Sequence, residues 1–210
     1  MSEIKNIIFD LGGVILNLNY SATTDAFNAL GFNNFDNFYS QEQQTDLFND
    51  FEKGLISDKI FLKRFKKETA LEKIDIIKAW NSMLLDLPSK RLHFIKALKT
   101  NYSVFLLSNT NEIHIKHFEE KLLKENNLSL FKNSFHKIYY SCRINNRKPD
   151  LACFQKVLKE NSLKAKETLF IDDSIQHIKG AQKLNIKTYL MEQNKSIIDL
   201  FPDIIQSTLR

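Results

Sequence analysis

The chain has 210 residues, 43% of them hydrophobic and 26% charged, which excludes a disordered class and allows one full core or a core with a modest insertion. Its net charge of +5 does not point to nucleic acid, because the basic residues are mixed with acids in helical segments, as at Lys63, Arg64, Lys66, Lys67 and Glu68, the pattern of a solvated face. Two cysteines without metal-site spacing, Cys142 and Cys153, exclude a disulfide framework or structural zinc site and read as packing thiols. Glu3 near the amino terminus and Asp10 inside the first apolar stretch fit neither a signal peptide nor a membrane span, so a cytoplasmic protein with no membrane partner is expected.

The first element is a short apolar run, Ile7, Ile8 and Phe9, which ends on Asp10 and is followed by Leu11, Gly12 and Gly13. Such a run predicts a strand buried on both faces, so its one charged residue falls where the strand leaves the sheet. On its own, Asp10 reads more readily as a turn residue than as a nucleophile or metal ligand.

From about residue 20 to 85 no strand pattern occurs. Helices are predicted over 21–30, stopped by Gly31; from a capping box at Ser40 and Gln43 to residue 53, stopped by Gly54; from Ser57 through Phe65; and over 71–84, with Ile74, Ile77 and Trp80 at helical spacing. An all-helical insert over 18–85 follows. Beyond Pro88 the pattern alternates: helix 89–98, strand 103–107, helix 111–124, strand 137–140, helix 151–160, strand 168–171, helix 175–184 and strand 187–191. Alternation of this kind predicts an α/β fold, a doubly wound parallel sheet with helices on both faces. The core is then 1–17 and 86–210, with the helical insert leaving after the first strand.

Ligands of such sheets bind outside the carboxyl ends of the strands. The polar residues at those ends are Asp10; Ser108 and Asn109; Arg147 and Lys148; and Asp172 and Asp173. Each alone has an ordinary reading as a cap or a surface group. Together, three carboxylates converging on one point require a cation, and oxygen ligands suit magnesium. A hydroxyl, helix-start amides and a lysine beside it form an anion site, so phosphate is the expected ligand.

These residues fall in four ordered segments: Asp10, Leu11, Gly12, Gly13 and Val14; Leu107, Ser108 and Asn109; Lys148 and Pro149; and Ile171, Asp172, Asp173 and Ser174. In that order they resemble the four motifs of the haloacid dehalogenase superfamily, whose members with a helical cap carry it where the insert falls here. The resemblance implies a Mg²⁺-dependent phosphatase acting on a small phosphorylated metabolite. Asp10 is then the nucleophile that forms an aspartyl phosphate, and Ser108, Asn109 and Lys148 hold the phosphoryl group. Asp10, the Gly12 carbonyl and Asp173 are implied as direct metal ligands, with Asp172 acting through water. Pro149 favours extended geometry at Lys148, and Lys148→Ala is expected to lower activity with little change in Tm.

Phosphatases of the superfamily usually carry a second Asp two residues after the nucleophile, as general acid and base. Here the position is Gly12. Such a group is worth about 10²–10⁴-fold, so its loss points to a leaving group that needs little protonation, such as a sugar 1-phosphate. The Asp10 motif also resembles the branch that includes bacterial α-glucose-1-phosphate phosphatases, where glycine takes the same place. Two alternatives stand: other chemistry of the superfamily, mutase transfer or dehalogenation, and a weakly catalytic module that binds a phosphorylated metabolite. Several further signals have ordinary readings. His114 and His117 read as a solvated pair, His177 as an indirect contributor to the site, and Phe27, Phe32, Phe35 and Phe38 as packing. Arg147 is open to a phosphate or to an ion pair elsewhere.

Overall fold

In a computed structural model, which describes residues 3–40, 44–192 and 195–199, the strands form one parallel sheet. They are β1 (Asn6–Phe9), β2 (Ser103–Ser108), β3 (Lys137–Tyr140), β4 (Thr168–Asp172) and β5 (Lys187–Leu190), in the order β3-β2-β1-β4-β5. The sheet is covered on both faces, as the apolar runs require. Ile7, Phe9, Val104, Leu106, Leu169 and Ile171 point to one side and pack on α5 (Ser89–Leu98), α6 (Glu112–Lys124) and α7 (Leu128–Asn133). Ile8, Phe105, Leu107 and Phe170 point to the other and pack on α9 (Leu151–Glu160) and α10 (Ile175–Gln182).

Between β1 and α5 lie α1 (Tyr20–Ala29), α2 (Asp46–Glu52), α3 (Asp58–Thr69) and α4 (Lys73–Asn81). They close over their own apolar centre, built largely of Phe27, Phe35, Phe48, Phe51, Phe61, Phe65 and Trp80. Phe27 stacks on Phe35 at 4.4 Å and Phe51 on Phe61 at 4.2 Å between ring centroids, so the phenylalanines serve packing, at about 0.5–1.5 kcal/mol per pair beyond their burial. The two connections to the sheet run side by side: Leu85 N donates to Asn17 O, Asn17 N to Asp86 O, and Asn19 N to Met83 O.

Element ends differ from the sequence reading where tertiary pairing intervenes. The helix expected from Ser40 begins at Asp46, because Tyr39 and Gln44 form an antiparallel bridge and Thr45 is extended; Gln43 of the expected capping box lies outside the described residues. The helix expected over 71–84 is confined to Lys73–Asn81, since Leu84 bridges to Leu18. The helices α7 and α8 (Ser141–Ile144) were not anticipated. No helix among the described residues is long and apolar enough to cross a membrane.

The end of α2 seats closely on α8, the short helix after β3. Gly54 has φ +67°, and a Cβ there would lie 1.9 Å from the Cys142 carbonyl oxygen. Alongside it Asn145 Nδ2 donates to Lys53 O at 3.0 Å, and Lys53 pairs with Asp150 at 3.1 Å.

Candidate active site

Parallel register sets the site. Phe9 lies level with Leu106 on one side and Ile171 on the other, so Asp10 emerges between the ends of β2 and β4. Its backbone N–H still bonds Ile171 O at 2.9 Å, which fixes the carboxylate at the sheet edge. One cavity there is lined by Asp10, Gly12, Ser108, Asn109, Arg147, Asp173 and His177 from the sheet half, and by Tyr20, Tyr39, Gln44 and Glu52 from the insert.

Lys148 stands between two acids. Its Nζ is 2.8 Å from Asp10 Oδ1 and 2.6 Å from Asp172 Oδ2, with no exposure of its side chain. Burial disfavours the ammonium, but Asp10 and Asp172 outweigh it and hold the Lys148 pKa above its ordinary value. Burial also opposes ionisation of Asp172, yet Lys148 and His177 together keep its carboxyl below the usual carboxylate range. A lysine this enclosed cannot be removed without consequence for the fold, which corrects the expectation that Lys148→Ala would leave Tm nearly unchanged.

Asn109 explains how the lysine is aimed. Its Nδ2 donates to Lys148 O and its Oδ1 accepts from Lys148 N, both at 2.9 Å. The Asn109 side chain is thus occupied by the Lys148 backbone, so a phosphate contact of Asn109 falls to its backbone amide. Ser108 is nearly buried at the end of β2 and faces the cavity. His177 Nδ1 lies 2.9 Å from Asp172 Oδ1, while its Nε2 lies 3.4 Å from Asn109 Nδ2. This places the proton on Nδ1 and links Asp172 to the Asn109 clamp.

The acids fit a cation. Burial pushes the Asp10 carboxyl well up; Lys148 opposes this, and the charges of Asp172 and Asp173 push it further. Three carboxylates face one ammonium, and a hard divalent ion held by oxygen would offset the excess charge. Asp10, Asp172 and His177 each bring a ligand atom within 4.8 Å of the others, although the Nδ1 of His177 is already committed to Asp172. Asp173 presses on the turn after β1, where a Cβ on Gly13 would meet its Oδ2 at 2.3 Å, so that position tolerates only glycine, which also has φ +70°.

One sequence reading changes, that of His114, and for Arg147 the ion-pair alternative is the one found. His114 is not solvated: it is buried, stacks on Trp80 at 4.6 Å, and its Nε2 lies 3.1 Å from Trp80 O, whereas His117 is exposed. Arg147 makes an ion pair with Glu52 at 3.1 Å across the cavity wall. Glu52, with Gln44, Tyr20 and Tyr39, is a cavity group that the motifs did not reveal. The available signal was an acid four residues after Phe48, hence on the apolar face of its helix.

At Gly12, a Cβ would lie 2.5 Å from Leu18 Cδ1. The volume that a side chain would occupy there is filled by leucine.

Comparison with known proteins identifies the family. A D-ribitol-5-phosphate phosphatase of Bacteroides thetaiotaomicron is 29% identical over 194 residues, spanning 90% of this chain and 92% of that protein. Among solved structures, a haloacid dehalogenase family enzyme of the same organism, crystallised as an aspartate-to-alanine variant with magnesium and inorganic phosphate, is 33% identical with a TM-score of 0.84, covering 94% of this chain and 98% of that one. A Porphyromonas gingivalis protein described as a predicted hydrolase of the same kind superposes with a TM-score of 0.87 at 26% identity, covering 98% and 99%. The model of the haloacid dehalogenase-like hydrolase family matches residues 7–191. That span contains every strand of the sheet except the first residue of β1, together with the whole insert, and the chain belongs to the haloacid dehalogenase-like hydrolase family.

Proposed function

We propose that the protein is a cytoplasmic, magnesium-dependent phosphatase of a small phosphorylated metabolite, with residues 18–85 as a cap over the core formed by 1–17 and 86–210. The observation that carries this reading is that Asp10, Ser108 and Asp173 line one cavity, with Lys148 buried behind Asp10 and paired with both it and Asp172. Asp10 attacks phosphorus in line, the P–O bond to the leaving group breaks as the new P–O bond forms, and water then hydrolyses the aspartyl phosphate. Ser108, the Asn109 amide and Lys148 hold the phosphoryl oxygens, and Lys148 offsets the charge that spreads onto them. Asp10, the Gly12 carbonyl and Asp173 would hold Mg²⁺ directly and Asp172 through water, in keeping with the bonds Asp172 already makes to Lys148 and His177. The ion would supply charge neutralisation between the nucleophile and the phosphate.

The leaving side has no acid at position 12. This favours a substrate whose alcohol departs with little help, a sugar 1-phosphate. The likeness to a D-ribitol-5-phosphate phosphatase supports a second reading, the terminal phosphate of a polyol. Retention of both Asp172 and Asp173 weighs against metal-free dehalogenation.

A phosphoester panel with Mg²⁺ or with EDTA, run beside Asp10→Asn, tests the proposal. Magnesium-dependent phosphate release is expected, with loss of more than about 10³-fold in the variant, which stays folded. Turnover retained by Asp10→Asn would falsify the covalent route. Higher kcat/KM for sugar 1-phosphates than for matched terminal phosphates supports the first substrate reading, and the reverse order selects the second.

A further inference from the structure

The segment that carries Lys148 is held from two directions. On the sheet side, Asn109 takes both backbone groups of Lys148. On the other side, the residues just before the lysine reach across to α2 of the insert. Asn145 Nδ2 donates to Lys53 O at 3.0 Å, Arg147 Nη1 donates to Asn49 Oδ1 at 3.4 Å, and Arg147 Nη2 pairs with Glu52 Oε2 at 3.1 Å. Among the described residues, these are the hydrogen bonds and ion pairs that the side chains of 145–147 make outside their own loop, since Asn146 bonds Ile144 O. Glu52 has little left to offer a ligand. It is only 3% exposed, and its carboxylate also accepts from Gln44 Nε2 at 3.2 Å and from Tyr39. A carboxylate so enclosed is stable only while its cation and donors stay on it, which pins Arg147 against α2.

We propose that the Glu52–Arg147 pair is a tie by which the insert sets the phosphate-holding lysine, so that Glu52 and Arg147 are positioning residues for Lys148 and not contacts for the leaving group. This rests on the phosphatase reading above for the role of Lys148. The Lys148 side chain has no exposure, so its ammonium follows its backbone. Arg147 is the preceding residue, and a shift of Arg147 passes directly to the Lys148 N–H that Asn109 holds. The ammonium has little latitude, at 2.8 Å from Asp10 and 2.6 Å from Asp172. A misplacement of about 1 Å in a group that meets the reacting atoms costs on the order of 10²-fold. Because the tie acts on the phosphoryl group, which every substrate shares, its loss lowers all esters alike. A group that met the leaving alcohol would instead change the preference between esters and leave inorganic phosphate, which has no leaving group, bound as before.

Calorimetry of inorganic phosphate with Mg²⁺ reads the first effect, and kcat/KM for p-nitrophenyl phosphate and ribitol 5-phosphate reads the second. Glu52→Gln and Arg147→Met are each expected to raise the phosphate Kd about 10-fold or more, and to lower kcat/KM for both esters by factors that agree within about 3-fold. Arg147→Lys, which keeps a cation on Glu52, is expected to stay within about 3-fold of wild type in both readouts. Asn145→Gly removes the neighbouring tie at an exposed position outside the cavity, with a φ of +54° that glycine adopts freely. It is expected to fold as wild type does and to raise the phosphate Kd about 2- to 5-fold, so it decides the matter if the buried variants do not fold. A phosphate Kd unmoved in the folded variants, losses that fall on one ester and spare the other, or no phosphate binding by wild type overturns the tie. If the affinities shift as expected while wild-type protein releases phosphate from neither ester, the phosphatase reading fails and the tie stands.

Discussion

Replacing Lys148 by methionine keeps most of the side-chain volume and removes the charge. In the native protein that charge lies 2.8 Å from Asp10 and 2.6 Å from Asp172, in a place without solvent exposure. Its removal leaves two buried carboxylates facing each other, and breaking a buried pair by deleting one partner costs about 3–5 kcal/mol. For a chain of this size each kcal/mol moves Tm by about 2–4 °C, so a fall of roughly 6–20 °C is expected. Burial already pushes the Asp10 carboxyl upward, so once the ammonium is gone it takes up a proton more readily as pH falls, and there the loss lies toward the lower figure. The sign with pH follows: the deficit is larger at pH 8, where both acids are ionised, and shrinks as pH falls and Asp10 protonates. Scanning calorimetry of wild type and Lys148→Met in EDTA, at pH 8 and pH 5.5, measures both. Adding Asp172→Asn should recover at least half of the loss by removing one of the two stranded charges. A Tm within about 2 °C of wild type at pH 8 would refute the pairing argument.

Gly12→Asp should raise kcat on primary alkyl phosphates by about 10-fold or more, part of the range for a general acid, because the close atom at that position is the flexible tip of the half-buried Leu18, which can turn aside. Steady-state kinetics on n-pentyl phosphate decides, and no activation either alone or together with Leu18→Ala would refute the missing-acid reading. His114, whose pKa burial pushes down to about 3 against the opposing bond to Trp80 O, is neutral in the fold and takes a proton more readily when unfolded. Its contribution is complete above pH 6.5 or so and is lost as pH falls from there toward the folded value, at up to about 1.4 kcal/mol per pH unit. Urea unfolding of wild type and His114→Phe between pH 6.5 and 4.5 should therefore converge on acidification, and parallel curves would exclude the histidine as the source.

The sheet was legible because its central strands are short apolar runs, and runs such as Val104–Leu107 in β2 cannot be mistaken for solvated helix. Their order was not, since which strand neighbours β1 depends on crossovers rather than on local pattern. The residues at the strand ends, Asp10, Ser108, Lys148, Asp172 and Asp173, could be read together because the sheet edge unites what the chain separates. The internal use of those residues could not. Nothing local to Asn109 says that its amide holds the Lys148 backbone, and nothing near Gly12 says that Leu18 fills the space beside it. The insert was the least readable part. Its helix α2 is only seven residues long, and Tyr39 and Gln44 pair in extended conformation where a helix start was expected. The Glu52 contact with Arg147 joins segments about a hundred positions apart, beyond any window of local periodicity.

The close seating of Gly54 on the Cys142 carbonyl gives one backbone position authority over both walls of the cavity. Even a methyl group at position 54 would act as a wedge between α2 and α8, which leads to Arg147 and Lys148. The displacement would be passed to Glu52, two residues earlier in the chain. A residue that touches neither phosphate nor leaving group thus sets how the insert meets the lysine segment, and any variation there would be read as weaker binding of every phosphoester before it was read as a loss of chemistry.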